Sequence, residues 1–120
     1  MLIFILLATM FTANDLKQKC VGTETHEQFY CLGYLAGFDG GTAYAALLEA
    51  ISSVGLDRAA GSAVASQSYQ RVTGCSSDGV TIGQVKLIFL KYVEDHPEQL
   101  HLPAAFIVSE SLIAAFPCRQ

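Results

Sequence analysis

The sequence predicts an all-α fold, a small helical bundle of about four to five helices stapled by two disulfides. Three observations carry that prediction. Apolar residues recur at three- and four-residue intervals over most of the chain, the signature of helices with a buried face. Alternating runs of Val, Ile and Thr, which would mark strands, are almost absent. The helix breakers are orderly: Pro97, Pro103 and Pro117 all fall in the last quarter, and Gly and Ser clusters separate the earlier segments.

A chain of 120 residues has room for one domain. With 52% hydrophobic and 15% charged residues it is core-rich rather than disordered. The net charge is −4 and no basic run of five or more residues exists, which excludes the clustered Lys and Arg that phosphate backbones require. No nucleic acid partner is expected; the acidic balance suits a basic protein surface better.

Met1 to Ala13 reads MLIFILLATMFTA. The run has the length of a signal-peptide core and is too short to span a bilayer, so no stable membrane insertion is expected. It lacks a basic n-region, and cleavage after Ala13 would place Phe11 at −3, where small residues are preferred. Two readings follow, a signal peptide over 1–13 ahead of a single domain over 14–120, or a first helix that stays packed on the core. The first is preferred, because the even number of cysteines downstream argues for disulfides in an oxidising space.

The elements follow in order. Thr25-His26-Glu27-Gln28 fits a capping box, with Thr25 as N-cap and Gln28 at N3. Phe29, Leu32, Ala36, Ala43, Ala46, Leu47 and Ala50 continue at helical spacing, ending near Ser52 to Gly55. Gly33, Gly37, Gly40 and Gly41 suggest a face approached closely by another helix, or a break at Gly40-Gly41. A short helix is expected over Ser62 to Arg71, followed by a polar loop over Arg71 to Gly79. Thr81 to Gln84 forms a second capping box, and Val85, Ile88, Phe89, Tyr92 and Val93 make one apolar stripe. Pro97 pushes His96 out of helical geometry and ends that helix. A turn follows over Glu98 to His101, and a last helix begins about Leu102 with Pro103 in its first turn. Ala104 to Phe116 is apolar nearly all round, which places it centrally.

Cys20, Cys31, Cys75 and Cys118 allow three pairings. If the last two helices are antiparallel neighbours, Cys75 before one meets Cys118 after the other, leaving Cys20 to tie to Cys31. No Cys-x-x-Cys pair exists, so zinc is not expected. A catalytic thiolate would need His26, His96 or His101 beside it, and four cysteines in an exported chain are more simply oxidised. His96 and His101 flank the Pro97 turn, where bonding to backbone at helix ends is the expectation. Asp39, between Phe38 and Gly40 on the glycine-rich helix, is a candidate for partial burial, with a solvated or capped carboxylate as the default expectation. No carboxylate pair is spaced for acid–base work, and phosphate-loop, Gly-x-Ser-x-Gly and His-Glu-x-x-His motifs are absent. No metal or cofactor is expected, and the residues describe a binding module rather than an enzyme.

Four stretches together resemble a known family. They are Phe29-Tyr30-Cys31-Leu32-Gly33-Tyr34-Leu35-Ala36-Gly37, Val80-Thr81-Ile82-Gly83-Gln84, the run from Lys91 through His96-Pro97-Glu98 to His101, and Ala114-Ala115-Phe116-Pro117-Cys118. In order and spacing, from Cys20 to Cys118, they are similar to the Rap/Tai family of type VI secretion amidase immunity proteins. One departure is Ser76-Ser77-Asp78-Gly79 after Cys75, where the family often has a proline two residues on. The resemblance implies a periplasmic, all-helical homodimer. Its partner would be a cognate papain-like cysteine peptidoglycan amidase effector, whose active-site groove it would bind and occlude. Specificity is then expected in exposed irregular segments, Arg71, Ser76, Ser77 and Asp78 first, with Asp57 and Arg58 as a second site. The runner-up is a periplasmic stress or chaperone-like protein with many clients.

Overall fold

In a computed structural model that describes residues 11–55, 57–75 and 79–119, the chain forms five α-helices. They are α1 (Ala13–Val21), α2 (Thr25–Val54), α3 (Arg58–Thr73), α4 (Ile82–Asp95) and α5 (Ala104–Ala115), with a 3-10 turn over Pro97–Gln99. No strand occurs among the described residues, only an isolated bridge between Thr12 and Pro103.

The first helix is one that the sequence reading does not anticipate. Thr12 caps it: its hydroxyl accepts from the Asp15 amide at 3.2 Å, and the Asp15 carboxylate accepts from the Thr12 amide at 2.9 Å. The free amides of its first turn are also met from outside. Ala13 N–H donates to Leu102 O and Asn14 N–H to Leu100 O, each at 2.9 Å, while Ala104 N–H donates to Phe11 O at 3.0 Å. Two helix starts, those of α1 and α5, thus have orphan donors satisfied by each other's leading segments. Ala13 and Leu16 are fully buried. The described fold therefore takes in Phe11, Thr12 and Ala13, on the N-terminal side of the 13/14 boundary drawn from sequence.

Helix α2 runs 30 residues without a break at Gly40-Gly41. The capping box expected at Thr25 does not form. Thr25 is already helical, Glu24 is the N-cap, and it makes no side-chain cap bond. Gln28 turns to tertiary partners instead, donating to the carbonyl of Gly22 and accepting from Lys86 Nζ at 2.6 Å. The Cys20–Cys31 disulfide explains this, since it draws the end of α1 over the first turns of α2 and puts free carbonyls within reach. No helix of the described chain approaches closely at the glycines. A Cβ built at Gly33, Gly37, Gly40 or Gly41 would meet nothing within 4 Å. The buried stripe is Cys31, Leu35, Ala46 and Ala50, while Phe29, Leu32 and Leu47 of the expected apolar face point to solvent.

Helix α3 starts four residues earlier than expected because Asp57 caps it, its Oδ1 accepting from Ala59 and Ala60 amides at 3.0 and 3.1 Å. It ends at Gly74 (φ 74°), whose backbone lies against α5: a Cβ there would sit 2.6 Å from Phe116 O and 2.9 Å from Leu112 O. Helix α4 keeps the capping box of Thr81 and Gln84, with bonds of 3.1 and 2.9 Å. Its stripe buries Phe89 and Val93 and half-buries Val85, Ile88 and Tyr92. Helix α5 opens at Ala104 with Pro103 as its N-cap, two residues after the expected start. It packs on α1, α3 and α4, burying Ala104, Ile107, Val108, Ser111 and Leu112.

Two glycines of opposite character test this packing. Gly74→Ala should cost at least about 2 kcal/mol, because it combines a left-handed backbone with a backbone collision. Gly41→Ala, in an open helix interior, should gain roughly 0.5–1 kcal/mol. Urea unfolding of both variants measures the contrast.

Candidate functional site

The cysteines pair as Cys20–Cys31 and Cys75–Cys118, with Cα atoms 5.0 and 4.9 Å apart. Cys20 and Cys31 are buried in the core, whereas Cys118 is exposed. With all four bonded, the chain holds no thiolate for nucleophilic attack. His96 and His26 lie at the end of α4 and the start of α2. His96 stacks on Tyr92, with ring centroids 4.1 Å apart, and its Nδ1 lies 2.8 Å from Tyr92 O, a donor bond that caps the end of α4. His26 lies 3.6 Å from Glu24 at the exposed start of α2.

What remains is surface, organised at the end of the bundle where α3 meets α5. Three contacts make that end rigid. Cys75 is tied to Cys118, the Cys75 amide donates to Phe116 O at 2.7 Å, and Ser109 Oγ donates to Val72 O at 2.6 Å. Arg71 projects from the last turn of α3, largely exposed, 3.7 Å from Glu49 of α2. The Glu49 carboxylate also accepts from Ser68, and Asp39 accepts from the Tyr69 hydroxyl. Burial first, then the bond to Asp39 and its charge, push the Tyr69 phenol up to about 12. Asp39 is exposed, the default expected of a carboxylate here. Beside it lies a cleft of about 330 Å³ whose apolar floor includes Leu35, Phe38, Leu112 and Phe116.

Of the residues expected to contact a partner, Arg71 stands at this end, and Ser76, Ser77 and Asp78 lie outside the described residues. Both flanks of that segment are fixed, by the Cys75 disulfide on one side and the Thr81 cap on the other. Asp57 and Arg58 are at the opposite end of α3, thirteen residues and roughly 20 Å from Arg71 at helical rise. The two regions therefore do not form one patch, and the Asp57 carboxylate is engaged in capping. The Asp39–Tyr69 and Glu49–Ser68 pairs escape sequence reading because they join residues 30 and 19 apart across two helices. Only the helical phase of α2 relative to α3 could have shown them, and periodicity does not fix it.

The described residues form a helical module stapled at two points, with a braced polar end where α3 meets α5. The family model for Rap1a immunity proteins matches residues 12–118, and the chain belongs to that family. Members are non-enzymatic inhibitors, and membership implies immunity to a type VI secretion amidase toxin. No curated protein and no solved structure matches the chain.

The Tyr69 environment yields a direct test. Its folded pKa is raised, so the stability it contributes is present below about 10 and is lost as pH rises through about 12. Asp39→Asn should move the Tyr69 phenol back toward 10, seen as earlier phenolate absorbance in an alkaline titration, with Tyr69→Phe removing that step.

Proposed function

We propose that this chain is a periplasmic immunity protein that seats on the substrate groove of a cognate papain-like peptidoglycan amidase and excludes its substrate, working as a homodimer. The observation that carries the reading is family membership over nearly the whole fold, joined to a braced polar end that presents Arg71. A surface braced by a disulfide has little conformational freedom to lose on docking, so more of the contact energy appears as affinity. The Arg71 end is proposed as the primary contact and Asp57-Arg58 as a second.

Export is supported by the apolar run at the N-terminus and by two disulfides, which persist in oxidising compartments. No helix among the described residues is long and apolar enough to cross a membrane. Removal of all thirteen leading residues would strip the Thr12 cap and the buried Ala13, so processing is proposed to end ahead of Phe11.

Arg71→Glu should weaken amidase binding about tenfold or more, while unfolding stability changes by less than about 1 kcal/mol, since its pair with Glu49 is exposed. Calorimetric titration against the purified amidase and urea unfolding read the two effects. Unchanged affinity in Arg71→Glu and in charge-reversed 76–78 variants would refute the placement. Intact mass of the protein recovered from the periplasm should show an N-terminus that retains Phe11 and Thr12; loss of Thr12 would overturn the processing proposal.

A further inference from the structure

The outward face of α2 is the largest unexplained feature of the fold. Phe29, Tyr44, Leu47 and Ile51 are exposed at 72%, 63%, 50% and 43%. Together with Gly33, Ala36 and Gly40 they form the series 29, 33, 36, 40, 44, 47, 51, which stays within about a quarter of the helix circumference. No residue of the series is charged. The two acidic residues between Phe29 and Ile51, Asp39 and Glu49, bond to Tyr69, Ser68 and Arg71 of α3 instead. The Tyr44 hydroxyl is the one polar side-chain group of the series, and the face adjoins Asp57 and Arg58 of α3 only at its Leu47–Ile51 end.

The spacing of the series, 4-3-4-4-3-4, reads the same in both directions, with Gly40 at its centre. A two-fold axis through Gly40 that sets two copies of α2 antiparallel therefore brings residue 40 − k opposite residue 40 + k. Gly33 then faces Leu47, Ala36 faces Tyr44, Phe29 faces Ile51, and Gly40 meets Gly40. Bulky side chains of one half enter the room left by small residues of the other, and the open space at Gly33 and Gly40 becomes a socket. This is the self-complementarity that an isologous interface demands. Two such faces bury on the order of 1,000 Å² in total, the lower bound for a specific dimer.

We propose that a second copy of this chain covers α2 in this register. The inference deepens the homodimer element of the function proposed above and names its surface; it leaves the Arg71 end outside the contact. Sedimentation velocity at micromolar concentration should find the wild type dimeric. Leu47→Glu should weaken the dimer at least about 100-fold by burying an unpaired charge, with helicity retained because Leu47 is half exposed in the single chain. Gly33→Lys should do the same. The double variant Gly33→Lys/Leu47→Glu should recover dimerisation to within about tenfold, because the substituted positions face each other only in the antiparallel register about Gly40. A monomeric wild type, a Leu47→Glu dimer as tight as wild type, or no recovery in the double variant would each overturn the register. Loss of amidase binding in Leu47→Glu with a monomeric wild type would assign the face to the effector and also overturn it. Inhibition of the amidase by the dissociated variant, measured in parallel, separates the two proposals: a dimer that fails to inhibit counts against the function alone.

Discussion

Helix α5 imposes the constraint on which the rest depends. Ile107, Val108 and Leu112 span about 140° of its circumference, and the Ser111 hydroxyl within that face donates to Val108 O at 2.7 Å. Such a helix must be covered on several sides at once, and α1, α3 and α4 do so. The cover reaches to the N-terminal segment, where Phe11 and Ala13 exchange backbone bonds with Ala104 and Leu102. Removing Thr12 or Ala13 would therefore reach the start of the central helix as well as the first one.

Sulfur bridges and one glycine turn this packing into a fixed shape. Each disulfide closes a loop and contributes about 2–4 kcal/mol by restricting the unfolded chain. They also hold particular places: Cys20–Cys31 lays α1 on α2, and Cys75–Cys118 locks the ends of α3 and α5 together where Gly74 lets their backbones touch. A protein that inhibits by filling a groove gains from such rigidity, because contact energy is not spent on ordering the binder. The same logic separates the two surfaces. The α3–α5 end is polar and braced, suited to a partner met from solution, whereas the α2 face is apolar and uncharged, suited to permanent cover.

Much of the fold was legible in the sequence, for identifiable reasons. Capping at Thr81 and the stripe from Val85 to Val93 are local patterns, and local patterns report themselves. Helix α1 is not legible because the apolar run ahead of it continues across its start and masks the Thr12–Asp15 box. The orientation of α2 was misread for a different reason. This helix carries two apolar stripes, and period alone cannot say which one meets its own chain. Gln28 left its expected cap for Lys86, 58 residues away, a partner only tertiary structure supplies. The candidate site was readable at Arg71 but not at Asp39, Glu49 or Tyr69, whose pairings depend on how α2 and α3 are phased.

On the function proposed above, this protein acts by shape, one copy of its surface against one enzyme groove. Titrating the oxidised chain into a fixed amount of the cognate amidase, with release of peptide from purified peptidoglycan as the readout, tests that claim most directly. Activity should fall linearly to zero at one chain per enzyme and return in full when the complex is separated. Inactivation at a small fraction of that ratio, or enzyme that stays inactive after separation, would contradict it.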